Sequence, residues 1–95
     1  MEWTFEGLVI YWRGPAPFYF IQVPERVVAD LAPVAKELTY GWGCIPATVT
    51  VGQTTYATSL FPKDGGFLVP VKVAVRRAEG VDEGDEVVAR LVVGA

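Results

Sequence analysis

Residues 58–88 read TSLFPKDGGFLVPVKVAVRRAEGVDEGDEVV. Thr58 to Phe61 is the end of a strand. Lys63-Asp64-Gly65-Gly66 follows as a tight turn, since Asp-Gly supplies the left-handed backbone that a two-residue hairpin needs. Phe67 to Val69 returns as a short strand. Pro70 opens a helix, with Val71, Val75 and Ala78 on one side and Ala74 beside them. Gly80 sits where a left-handed residue ends a helix, and Val81 packs back behind it. Asp82-Glu83-Gly84-Asp85 is a turn, and Glu86 to Val93 is a final strand. Strand, turn, strand, helix, turn, strand is the unit around which the rest is read.

Working upstream, Ile45 to Val51 alternates Ile45, Ala47, Val49 and Val51 with Thr48 and Thr50, a half-buried strand. Val51-Gly52-Gln53-Thr54 turns it back into Thr55–Phe61. Tyr40 to Gly43 is a turn or a strand-entry bulge. Before it, Val27, Leu31, Val34 and Leu38 lie on one helical face. Pro24 and Glu25 suit the helix start, and Pro33 breaks the pattern, leaving residues 25–32 the firmer half. This helix reads as a lid on a barrel end. Phe18 to Val23 is an apolar strand, antiparallel to Trp3–Trp12. The loop between them, residues 13–17, holds two prolines and a glycine. In the first strand Trp3, Phe5, Val9 and Tyr11 alternate with Glu2, Thr4 and Glu6. From Leu8 on, Leu8, Ile10 and Trp12 make the second face apolar too, which predicts cover on both sides. No repeat occurs at solenoid periods. The sum is one mainly β domain over residues 1–95, a small barrel of about six strands with two short helices.

Composition bounds the function. Apolar residues make up 52% and charged residues 20% of 95 residues, as in a folded domain with its own core. Net charge is −3, which opposes a whole-surface attraction to nucleic acid or anionic lipid. Cys44 is the only cysteine. It forms no intrachain disulfide and reads as a small core residue in a reducing compartment. MEWTFEGLVI lacks a basic start before an apolar run, and no apolar stretch nears the ~20 residues of a membrane span. A soluble, cytoplasmic protein is expected. Histidine is absent. With it go the usual general base, the Ser-His and Cys-His pairs, and zinc sites of ordinary composition. No metal and no cofactor is expected, and no catalytic residue is assigned.

Lys72 and Arg76 stand four apart, so on the helix they share a face. Near Thr58 and Ser59 they make a candidate anion- or ligand-binding site. The structural alternative is a solvated Lys72 and an Arg76 paired with Asp85 or Glu79. Gly84 and Asp85 form a structural turn, in which the Asp85 carboxylate bonds backbone amides. Trp3, Trp12 and Trp42 are more simply core than an aromatic platform.

Leu68-x-Pro70-x-Lys72, Val75-Arg76 and Gly80-Val81-x-x-Gly84-Asp85-x-Val87 together resemble the swapped-hairpin motif of AbrB-type transcription factors and antitoxins. With Phe5-x-Gly7, Pro24, Val49-x-Val51-Gly52, Thr58-Ser59-Leu60 and Gly65-Gly66 added, the chain more closely resembles domain-of-unknown-function family 1905, a set of small, mainly bacterial domains. In that family a second Lys often follows the position of Lys72; here it is Val73. The resemblance implies a double-split β-barrel built from one chain, and it brings no established activity. The expectation is a non-enzymatic module for a small ligand or protein partner, as a monomer or weak homodimer. The alternative is an AbrB-like nucleic-acid-binding or antitoxin-type regulator, against which the charge counts.

Overall fold

A computed structural model describes residues 1–13, 18–39 and 43–94. Six strands close into one barrel in the order β1-β2-β5-β4-β3-β6. They are β1 (Glu2–Trp12), β2 (Phe18–Gln22), β3 (Ile45–Val51), β4 (Thr54–Lys63), β5 (Gly66–Val71) and β6 (Glu86–Val93). Every neighbouring pair is antiparallel. Helix α1 (Glu25–Leu31) runs through a 3-10 turn at Ala32–Val34 into the single turn α2 (Ala35–Leu38), so Pro33 does interrupt the helix. Helix α3 spans Val73–Glu79. The β4–β5 turn has Asp64 and Gly65 at φ 50° and 78°, as a two-residue type I′ hairpin requires.

The two longest strands each change partner midway. β1 pairs with β6 through Glu2–Leu8 and with β2 through Val9–Trp12. β4 pairs with β3 as far as Leu60 and with β5 over Phe61–Lys63. Each change leaves an open edge, and a helix lies across it. At β1, Arg26 Nη2 donates to the Thr4 carbonyl at 3.0 Å, and the Trp3 indole donates to Asp30 at 3.1 Å. At β4, Lys72 Nζ donates to the Ala57 carbonyl at 2.9 Å, and the Thr54 hydroxyl donates to Glu79 at 2.6 Å.

These matched edges belong to two ββαβ halves. Exchanging β1, β2, α1 and β3 with β4, β5, α3 and β6 reproduces the strand order. The registers agree with the exchange. In the β2–β5 ladder Ile21 faces Val69, Tyr19 faces Val71, and the mirror partner is present as Val23 N–H donating to the Phe67 carbonyl at 3.2 Å. Tyr19 and Phe67 are therefore counterparts, as are Val23 and Val71. Each helix is capped by the next residue, Pro24 or Lys72, so Val27 matches Val75 and Val28 matches Arg76. Along the long strands, Phe5 matches Tyr56, Gly7 matches Thr58 and Val9 matches Leu60.

The core lies inside the barrel and under α1. Phe5, Ile21, Leu31, Ile45, Leu60 and Leu91 are among the largest side chains fully buried there. Among the described residues no polar or charged side chain is buried outright, so the interior is hydrocarbon.

Two expectations need correction. Pro70 does not open a helix. It lies within β5, opposite Phe20. The ladder to β4 stops at Leu68, so at Pro70 strand β5 is an edge on that side, where a missing N–H is tolerated. The second correction concerns Leu8, Ile10 and Trp12. This outer face is not covered: Leu8 and Trp12 are each 40% exposed. Residues 14–17 and 40–42, read as a loop and a turn, lie outside the described residues.

Candidate functional site

Because α3 starts at Val73, Lys72 is the capping residue and not part of a helical face shared with Arg76. Lys72 reaches back to the β4 edge at Ala57 and stands 5.9 Å over the Tyr56 ring. Tyr56 is buried, and its hydroxyl donates to the Pro70 carbonyl at 2.9 Å. Burial pushes its phenol up to about 12. Thr58 lines a groove of about 430 Å³ with Leu38, Pro46 and Thr48, away from Arg76. Ser59 is half-buried on β4, opposite Pro46. Gly84 and Asp85 form a clip. The Asp85 carboxylate accepts from Asp82 N–H at 2.9 Å, Gly84 N–H donates to the Val9 carbonyl, and Val9 N–H donates to the Asp85 carbonyl. The clip holds β1 where it changes partner. Cys44 is half-buried, and Trp42 lies outside the described residues.

Arg76 faces the mouth of the barrel. Its guanidinium carbon sits 3.5 Å from the centre of the Tyr19 ring, a stacked cation–π contact. Tyr19 packs on Tyr11 with ring centres 4.7 Å apart. Tyr11, Phe18, Tyr19, Val71, Val73 and Arg76 line a half-open cavity of about 240 Å³. The Arg76 fork is poorly satisfied. Its Nε is buried with no hydrogen-bond partner among the described residues. Among the described residues its Nη2 meets only the exposed Asp82, at 3.6 Å, beyond hydrogen-bond distance. Neither Asp85 nor Glu79 pairs with it as the structural alternative anticipated: Glu79 accepts from Thr54, and Asp85 serves its own turn. An orphaned buried donor costs roughly 1–3 kcal/mol, so it calls for an explanation. At the other end of the barrel the counterpart positions hold Val28 and Phe67, both half-buried against the core. These positions are apolar, and they leave no orphaned donor among the described residues.

A second feature went unread in the sequence. On the outer face of β1, β2, β5 and β4, Trp12, Phe18, Phe20 and Phe61 touch one another, with ring centres 5.6–6.3 Å apart. Trp12, Phe18 and Phe61 are 39–41% exposed. Lys63 Nζ lies 4.1 Å over the Trp12 ring. Below them Leu8, Ile10 and Leu68 floor a groove of about 550 Å³, lined also by Glu6, Glu25, Asp64 and Lys63. A side-chain hydrogen bond with neighbouring Glu86, and then its like charge, hold the Glu6 carboxyl above its ordinary value. The available signal was the apolar run Leu8, Ile10, Trp12. Periodicity shows that such a face is apolar; it does not show what covers it.

No helix among the described residues is long and apolar enough to cross a membrane. No described cluster of three or more Cys, Asp or Glu side chains is arranged to hold a metal ion. None of the curated proteins matches the chain. The profile described as "Domain of unknown function (DUF1905)" matches residues 5–91, nearly the whole chain. Matched over that length, the chain belongs to the DUF1905 family.

Proposed function

We propose that this chain is a non-catalytic binding module that takes a small anion, a carboxylate or phosphate monoester on a compact apolar body, at the α3 mouth of the barrel. One observation carries the reading. Arg76 keeps an incompletely paired guanidinium beside a cavity, where the matched position at the other mouth has Val28. A planar guanidinium binds carboxylate or phosphate through two parallel hydrogen bonds. Stacking on Tyr19 fixes the plane of the fork, and Val71, Val73 and Phe18 offer apolar wall to the rest of the ligand. Barrel mouths are favoured places for such sites. Catalysis is not part of the proposal. Among the described residues the cavity wall has one cation and two phenols, and no carboxylate or thiol to move a proton near neutral pH. Nucleic-acid binding is not proposed either, because Lys72 and Arg76 turn to Ala57 and Tyr19 and net charge is −3.

The test is a nitrogen-15 NMR titration with benzoate, phenyl phosphate and inorganic phosphate, each to about 10 mM, above the weak limit of single-site affinity. The expected result is saturable shifts at Tyr19, Val71, Val73 and Arg76 with at least one organic anion, absent in Arg76→Gln. No shifts with any of the three, or identical shifts in Arg76→Gln, would overturn the proposal.

A further inference from the structure

We infer that the outer face of β1, β2, β5 and β4 is the contact surface of a homodimer, in which Leu8, Trp12, Phe18 and Phe61 of one copy pack on the same strip of a second. Most of the exposed large apolar residues gather here; Met1, Val73 and Val88 are the others among the described residues. The strip already forms a shallow second layer. Phe20 and Leu68 are buried, at 8% and 6% exposure, yet neither belongs to the cluster inside the barrel. The outer rings cover them. Trp12 meets Phe61 edge-on at 80°, leaving ridges and not a flat sheet. Contiguous apolar patches of this kind mark interaction sites.

The charges select the occupant. Lys63 lies at the edge of the strip, and Glu6, Glu25 and Asp64 line the groove beside it. None of these four enters an ion pair among the described residues. A nucleic-acid strand stacking on the rings would meet three carboxylates. A uniformly basic partner would meet Lys63 beside the rings. A second copy related by a two-fold axis places rings on rings and Lys63 across from carboxylates, with one surface serving both sides. A standard interface takes about 800 Å² from each partner. A broad face of a molecule measuring 33 × 30 × 21 Å is of that order.

The experiment is sedimentation equilibrium on the full chain over a hundredfold concentration range reaching the millimolar, where even weak association registers. Wild type is expected to dimerise reversibly. Phe61→Glu should weaken association about tenfold or more, since it places a charge in the apolar centre. Lys63→Glu and Glu6→Lys should each weaken it, and an equimolar mixture of the two should associate more tightly than either alone. Arg76→Gln should leave the dimer intact, which separates this proposal from the anion site. A monomer at every concentration, a dimer insensitive to Phe61→Glu, or a mixture no tighter than its components would overturn it.

Discussion

The two mouths of the barrel are matched in backbone and differ in chemistry. Under α1 the counterpart positions hold Val28 and Phe67, which pack on the core, and the groove beside Phe67, Ala32 and Ala35 carries no cation at the position of Arg76. Under α3 they hold Arg76 and Tyr19, with an orphaned Nε and a cavity of about 240 Å³. The α1 mouth demonstrates that the fold forms without a cation at this position. Arg76 is then an addition to the fold, which is why its incomplete pairing points to a ligand. The open edges differ as well. At β4 the capping residue Lys72 bridges to Ala57, while at β1 the cap is Pro24, which has no donor to offer, and Arg26 bridges further along α1.

The largest effect is expected where the two halves pack most differently. A Cβ on Gly7 would stand 2.5 Å from Ile21 Cγ2 and 2.6 Å from the Gln22 carbonyl oxygen. Gly7→Ala must push β1 away from β2, at about 2–3 kcal/mol, lowering Tm by roughly 10–20 °C. Thr58, its counterpart, already carries a side chain, and Thr58→Ala should stay within about 0.5 kcal/mol. Equal losses in thermal unfolding would contradict the assignment of these two residues as counterparts in differently packed halves.

Next is the Phe5–Tyr56 pair. Phe5 fills its end with no hydroxyl, so Tyr56→Phe should fold and lose about 1 kcal/mol with the bond to Pro70. The pH dependence has a definite sign. Burial raises the folded-state phenol to about 12, above its unfolded value near 10. Its contribution is complete below pH ~10 and is lost as pH rises through ~12, to about 2–3 kcal/mol by linkage. Denaturant unfolding of Tyr56→Phe across that window should lack this decline. Parallel curves for the two proteins would show that Tyr56 is not the group responsible. A smaller effect is expected for Lys72→Met, about 0.5 kcal/mol, because its bond to Ala57 is exposed. Amide exchange along β4 should report the change more clearly than Tm.

Much of this fold is legible in the residues. Asp64-Gly65 announces the hairpin, the spacing of Val27 and Leu31 gives the buried face of α1, and alternation from Ile45 to Val51 gives β3. What misled was Pro70. A proline at a helix start and a proline on an open strand edge look alike in sequence, because both positions spare the missing N–H. That two-residue difference moved Lys72 onto the cap and dissolved its apparent pairing with Arg76. The two matched halves are hard to see in the chain because, although Val23 and Val71 or Val27 and Val75 agree, counterparts such as Gly7 and Thr58, or Val28 and Arg76, share no chemistry. Only the registers align them. The aromatic strip was misread for another reason: apolar alternation on both faces describes a covered strand and an exposed interface equally well.

The smallest expected change in stability is also the most telling. Tyr19→Phe/Arg76→Val gives the α3 mouth the chemistry of the α1 mouth. Thermal unfolding with and without phenyl phosphate then separates fold from function. A Tm equal to or above that of wild type is expected, since an unpaired buried donor is removed, with no stabilisation by the anion. A variant that unfolds several degrees below wild type, or one that the anion still stabilises as it does wild type, would contradict it.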